Sequence, residues 1–369
     1  MSPCQELEMP DFVPGLRLSR MFYEQAVRPI LERHAPGLRH SAALIGPGSE
    51  VLGFDTPLSM DHSWGPRVQL FLNADDLNCW RIHLEQALSA DLPRCFGGYS
   101  THFATTDDGG ALWMAEPEDE TLRHGVQFHT VAAWFCDYLG WDPGADPDFT
   151  DWLTFPEHRL RSVVDGCVFH DGLGELEPLR ARLRYYPHEV WLYLMAAQWR
   201  QIAQEEAFLG RAGEVGDELG SRLIAARLVR YVMRLCFLVE RTYAPYSKWF
   251  GTAFVQLRCG PRLQPMLIDV LEARDWRERE AAMSGVYEFV VKLHNSLGIT
   301  PALEGGVSPY FDRPYRVIHA DRFADAINAT MAPSCLARAP RVGSVSQFVD
   351  STDILESPRL CRRLVGLYD

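Results

Sequence analysis

The chain has 369 residues, with 49 acidic against 36 basic side chains and a formal charge of −13 when histidine is neutral. That balance argues against a partner held through a phosphate backbone, which basic surface must attract, and it suits a small cationic substrate better. The length predicts two domains, and the lack of any run approaching roughly 18 uninterrupted apolar residues excludes a membrane-spanning helix on sequence grounds.

In chain order, the opening MSPCQELEMPDFVPGLRLSR lacks the charged-then-apolar layout of a secretory signal, so a cytoplasmic location is expected. Nine cysteines are scattered with no Cys-x-x-Cys pair, which reads as reduced thiols filling cores rather than a disulfide or metal framework. GLRLSRMFYEQAVRPILERH, residues 15–34, places Leu18, Phe22, Val27, Ile30 and Leu31 at near-helical spacing, with Ser19 as a candidate cap.

The stretch Leu44 to Leu72 reads as two buried strands joined by a glycine-rich turn, Gly46-Pro47-Gly48-Ser49, and followed by Asp55, Ser59, Asp61 and His62. Asp75 to Leu88 predicts a helix, and Gly97-Gly98 a break. GVQFHTVAAWF, residues 125–135, reads as a third strand, and SVVDGCVFH, residues 162–170, as another. Asp171-Gly172 then turns the chain into a helix. After Pro187 the pattern becomes long and helical, in EVWLYLMAAQWRQIAQEEAFLG, ELGSRLIAARLVRYVMRLCFLVERTY, PRLQPMLIDVLEARDW and REREAAMSGVYEFVVKLHNSLG. The expected architecture is an α/β (α+β) domain with a small mixed sheet over residues 1–186, then an all-α bundle over 187–369 whose last seventy or so residues wrap it as short helices and loops.

Small residues at 46–49 let backbone N–H groups approach an anion, and Ser49 adds a hydroxyl, as a triphosphate tail requires. Asp61, about a dozen residues on, is expected at the start of the second strand and aimed at the same pocket. A carboxylate there suits Mg²⁺, which phosphoryl and nucleotidyl transfer use. Arg67 is a candidate phosphate clamp or a surface ion pair. Farther along, Lys248 in Tyr246-Ser247-Lys248-Trp249 offers a point charge, with Tyr243, Tyr246 and Trp249 as stacking faces. Glu205, Glu206, Glu214, Asp217 and Glu218 either line an acceptor pocket or solvate and cap helices.

The Gly-Ser turn followed by Ser-x-Asp resembles the polymerase-β-like nucleotidyltransferases, including antibiotic nucleotidyltransferases with helical C-terminal domains. More closely, GSEVLGFDTPLSMDHSWGPR, CVFHDGLGELEPLRARLRYYP, EVGDELGSRLIAARL and YAPYSKWFGTAF look like the DUF4037 branch. The resemblance implies metal-dependent transfer of a nucleoside monophosphate from a nucleoside triphosphate to a small hydroxyl or amine acceptor. Carried over, Gly48 and Ser49 would hold the β- and γ-phosphates, Ser59 would support them, and Asp61 would ligate Mg²⁺, or Mn²⁺.

The second carboxylate of the superfamily pattern falls on Ser63, and the third on the strand that holds Gln127 and His129. Two readings follow. Either Asp55, His62 and His129 complete the site, with Asp61 and Asp55 as metal ligands and His129 as a catalytic partner, or the chain is a degraded, nucleotide-binding or regulatory protein of the same fold.

Overall fold

A computed structural model describes residues 11–105, 112–115 and 122–368. Cys4 and the first ten residues of the segment used for the leader reading lie outside the described residues, and the other eight cysteines are free thiols. The protein is mixed α/β, with one small mixed sheet and many helices. It divides into two compact units, one running to Asp146 and resuming over Arg159–Arg184, the other comprising Pro147–His158 and the chain from Tyr185. Among the described residues no helix is long and apolar enough to cross a membrane.

The first unit opens with helices Gly15–Phe22 and Arg28–His34, joined by a π-helical turn at Tyr23–Val27. Ser19 is not the cap; Pro14 holds that position, and Ser19 is buried within the helix. The central sheet has four strands, in the order Gly125–His129, Arg67–Phe71, Ser41–Leu44 and Cys167–Asp171. Ser41–Leu44 runs antiparallel to both its neighbours, with Ala42 opposite Leu70, while Arg67–Phe71 and Gly125–His129 are parallel. One face of the sheet packs on the N-terminal helices through Phe22, Val27, Ile30, Val68 and Leu70.

Two predicted strands are shorter than expected, for local reasons. The third ends at His129 because the Thr130 hydroxyl accepts from Ala133 N (3.1 Å) and starts helix Val131–Leu139. Residues 162–165 belong to helix Glu157–Asp165, where Leu160 and Val163 are fully buried and Arg161 pairs with Asp165 one turn on (2.8 Å); the strand begins at Cys167. Asp171 closes that strand and gathers the backbone N–H groups of Gly174, Glu175, Leu176 and Glu177 at 3.0–3.4 Å, which launches helix Leu176–Arg182.

The second unit is built on helices His188–Glu205, Glu218–Val239 and Trp276–Ser296, which bury Trp191, Trp199, Val232, Leu235, Val286 and Val290. The all-α expectation is corrected by a two-stranded hairpin, Ser308–Tyr310 with Arg313–Val317. Short helices follow, from Asp321–Thr330 to Pro358–Arg362. The segment 151–158 is clamped by the chain's end: Arg362 pairs with Asp151, the Tyr368 hydroxyl donates to Leu153 O (3.3 Å), and Ser346 Oγ accepts from Glu157 N (2.8 Å).

Candidate functional site

The glycine-rich turn follows strand Ser41–Leu44, and a buried amide fixes its start. Gln69 on the adjacent strand accepts from Ile45 N and donates to Ile45 O, both at 3.0 Å. Gly46 and Gly48 have φ of 93° and 149°, conformations that favour glycine. The anion in this turn is internal. The Glu50 carboxylate, 2 % exposed, bonds its own backbone N–H and forms a close ion pair with Arg67.

A Cβ on Gly48 would sit 2.6 Å from Glu50 Oε2, so the glycine is needed for the carboxylate's close approach. Burial pushes the Glu50 carboxyl up, and Arg67 opposes the shift. Arg67 is thereby the half-buried partner of a buried carboxylate, and its Nε has no hydrogen-bond acceptor among the described residues. Sequence reasoning missed Glu50 and Gln69. A lone acid between the small-residue turn and apolar Val51-Leu52, with an arginine opening the next strand, was the available signal.

Asp55 plays a structural part, since one of its carboxylate oxygens accepts from Gly15 N (2.7 Å) and Trp64 Nε1 (2.9 Å), tying the first helix to the loop. Asp61 does not begin a strand. Pro57 follows an extended Thr56 and starts a 3₁₀ turn, Pro57–Asp61, closed by a reciprocal Thr56–Ser59 cap, and the strand starts only at Arg67. Ser59 thus serves its own turn.

Asp61 Oδ1 lies 2.9 Å from His62 Nδ1, and both side chains are about two-thirds exposed, at 67 % and 61 %. Ser63, at the position of the expected second carboxylate, has φ 49°. Gln127 pairs in register with Gln69, and His129 with Phe71. The His129 ring is neutral-leaning because burial lowers its pKa, and its Nε2 is buried without a hydrogen-bond partner among the described residues.

The arrangement does not fit a Mg²⁺ centre. Mg²⁺ needs convergent oxygens, whereas Glu50 is held by Arg67, Asp55 is engaged by Gly15 and Trp64, and Asp61 pairs with a histidine. Among the described residues no three His, Cys, Asp or Glu side chains group as metal ligands.

In the second unit, Tyr246 and Lys248 part company. Lys248 is exposed, with Nζ 4.9 Å from the Trp249 ring centroid, and Trp249 Nε1 donates to Tyr246 Oη at 2.8 Å. Tyr246 instead lines a cavity of about 490 Å³ with His158, Arg230, Arg234 and Phe250. There Glu157 and Arg234, 9 % and 12 % exposed, pair at 3.3 Å, and His158 meets Glu356 at 3.1 Å.

The acids expected around an acceptor are engaged elsewhere. Glu205 pairs with Arg227, Glu206 accepts from Ile318 N and Ala320 N, and Glu214 accepts from the Tyr315 hydroxyl. Asp217 caps its helix at Gly220, and Glu218 accepts from Trp276 N and pairs with Arg279. These are mostly capping and pairing roles; Glu214 also lines a shallow cavity, with Arg211, Arg313 and Tyr315.

No curated protein matches the chain. Residues 152–250, from the segment before helix Glu157–Asp165 to Phe250 beside Tyr246, match DUF4037, described as a domain of unknown function, and the match supports the DUF4037 family for this chain.

Proposed function

We propose that the protein is a nucleotide-binding or regulatory member of the nucleotidyltransferase-like group in which turnover has been lost or much weakened. One observation carries this reading: of the positions where the resemblance expects carboxylates, Asp61 alone has one, and it stands on an exposed turn beside His62. Transfer chemistry relies on metal held by two or three converging carboxylates, and a single exposed one forms a weak site.

The test is pyrophosphate release from each nucleoside triphosphate with Mg²⁺ or Mn²⁺, run beside thermal-shift titrations. The expected result is stabilisation by a nucleotide that Asp61→Asn reduces at least fivefold in apparent affinity, with no pyrophosphate above the no-protein control. Turnover abolished by Asp61→Asn would overturn the loss of catalysis. Absence of stabilisation by any nucleotide at millimolar concentration would overturn binding as well.

The second reading is an active nucleotidyltransferase acting on a small hydroxyl or amine. Asp61 and His62, paired with each other at 2.9 Å, would exchange that pairing for a metal, and a mixed oxygen–nitrogen pair suits Mn²⁺ better than Mg²⁺. Turnover with Mn²⁺ and none with Mg²⁺ is its signature.

A further inference from the structure

Helix Glu218–Val239 carries Arg227, Arg230, Tyr231 and Arg234 at intervals of three and four, so they share one helix face. That face lines a second cavity in the same unit, of about 690 Å³, whose opposite wall brings Arg341. Its lining holds four arginines and one carboxylate, Asp350. This is the reverse of the chain as a whole, with its charge of −13, so the local positive surplus is built into the site rather than inherited from composition.

Three of these arginines each face one carboxylate, Arg227 with Glu205 at 2.8 Å, Arg230 with Asp350 at 2.5 Å and Arg234 with Glu157, so the surplus that remains is the single charge of Arg341, and Glu205 stands outside the lining. Arg234 reaches Glu157 at 3.3 Å, and Arg230, Arg234 and Asp350 also line the 490 Å³ cavity beside it.

Arg341 differs from the others. Its Nη1 and Nη2 donate to the carbonyls of Leu336, Ala337 and Ala339, and among the described residues it pairs with no carboxylate. Burial lowers the pKa of both Arg341 and Arg234, so each guanidinium is held in partly desolvated surroundings where an added anion is strongly favoured. The phenol of Tyr231, the amides of Gln201 and Gln204 and the apolar Phe348 and Leu367 complete a lining suited to an organic molecule with several oxyanions.

We infer that this cavity binds a small organic polyanion carrying two or more phosphate or carboxylate groups, gripped by Arg227, Arg230 and Arg341. The site is built wholly from the second unit, shares no residue with the Asp61 turn and needs no metal.

The experiment is isothermal titration of the full chain with tripolyphosphate and, in parallel, citrate, in buffer stripped of metal over a chelating resin, with and without added Mg²⁺, at low ionic strength. Micromolar binding is expected to one or both, weakened at least tenfold by Arg341→Gln and by Arg227→Gln, partly restored by Arg341→Lys, and unchanged by Asp61→Asn. The stronger probe distinguishes a phosphate from a carboxylate ligand.

Arg227 is about half exposed, so its replacement should fold even if a change at Arg341 does not; circular dichroism checks both. No binding of either probe to the wild type overturns the inference. So does binding that folded Arg227→Gln and Arg230→Gln leave intact. Binding that requires metal and fails in Asp61→Asn would assign the anions to the other site and also overturn it.

Discussion

Two buried groups in the second unit titrate in opposite senses. Burial raises the Glu206 carboxyl to about 7 although backbone N–H groups of Ala320 and Ile318 bond it, and burial lowers His294 to about 4. His294 accepts from Trp199 Nε1 at Nδ1 (3.2 Å) and meets Thr300 Oγ1 at Nε2 (3.1 Å), a neutral-ring arrangement. For Glu206 the folded state holds its proton to higher pH than the unfolded chain. Its contribution is full below about 4.5 and is lost as pH rises to about 7.

For His294 the contribution is full above about 6.5 and is lost as pH falls towards about 4. Urea unfolding at closely spaced pH values should therefore give a curve that Glu206→Gln flattens on its upper limb, by up to about 3 kcal/mol, and His294→Asn flattens on its lower limb. A wild-type curve that neither substitution changes would contradict these burial effects. At Glu50 the same scale explains why the phosphate-turn reading needed revision: a side chain already supplies the negative charge that the glycines admit.

At the scale of elements, Asp171 is the joint between the sheet's edge strand and the helix that follows. Burial raises its carboxyl, but hydrogen bonds from Glu177 N, Ser41 Oγ, Leu176 N and Glu175 N outweigh this and lower it, so its support is present at neutral pH and is lost on acidification. Asp171→Ala should cost about 1–2 kcal/mol in chemical denaturation at pH 7, and Asp171→Asn less, because one acceptor oxygen survives.

This joint was legible in the sequence as an Asp-Gly turn, as were the strand pair 41–44 and 67–71, the helix over 15–34 and the long helices after Pro187, all marked by strong periodicity or glycine. What was not legible depended on choices made at a single residue. Thr130 can extend a strand or cap a helix, and its cap wins because Trp134 and Phe135 then bury on the helix side. The β-branched Val163-Val164 looked like strand, yet Leu160 and Val163 fall on one buried helix face. Thr56-Pro57 decides where Asp61 stands, and a Ser-x-Asp spacing carries no trace of that 3₁₀ turn.

For the whole molecule, the C-terminal residues are structural members of a unit that begins at Pro147. Removing residues 358–369 deletes the partners of Asp151 and Leu153 and should lower the calorimetric transition of the second unit by roughly 4–8 °C, since the loss is about 2 kcal/mol and a unit of this size shifts by about 2–4 °C per kcal/mol. Arg362→Ala alone should do less; an unaltered transition in the truncated chain would show that the clamp adds no stability.

The clamp also sets a timetable. Arg362 lies 211 positions after Asp151. At synthesis rates of about 5–20 residues per second, the early segment waits roughly 10–40 s for its partners to be made. Trp152, Leu153 and Phe155, all buried at the end, spend that interval without the C-terminal helices that complete their cover. They are the place where a chaperone would be expected to hold this protein, and the synthesis of Arg362 and Tyr368 is what would release it.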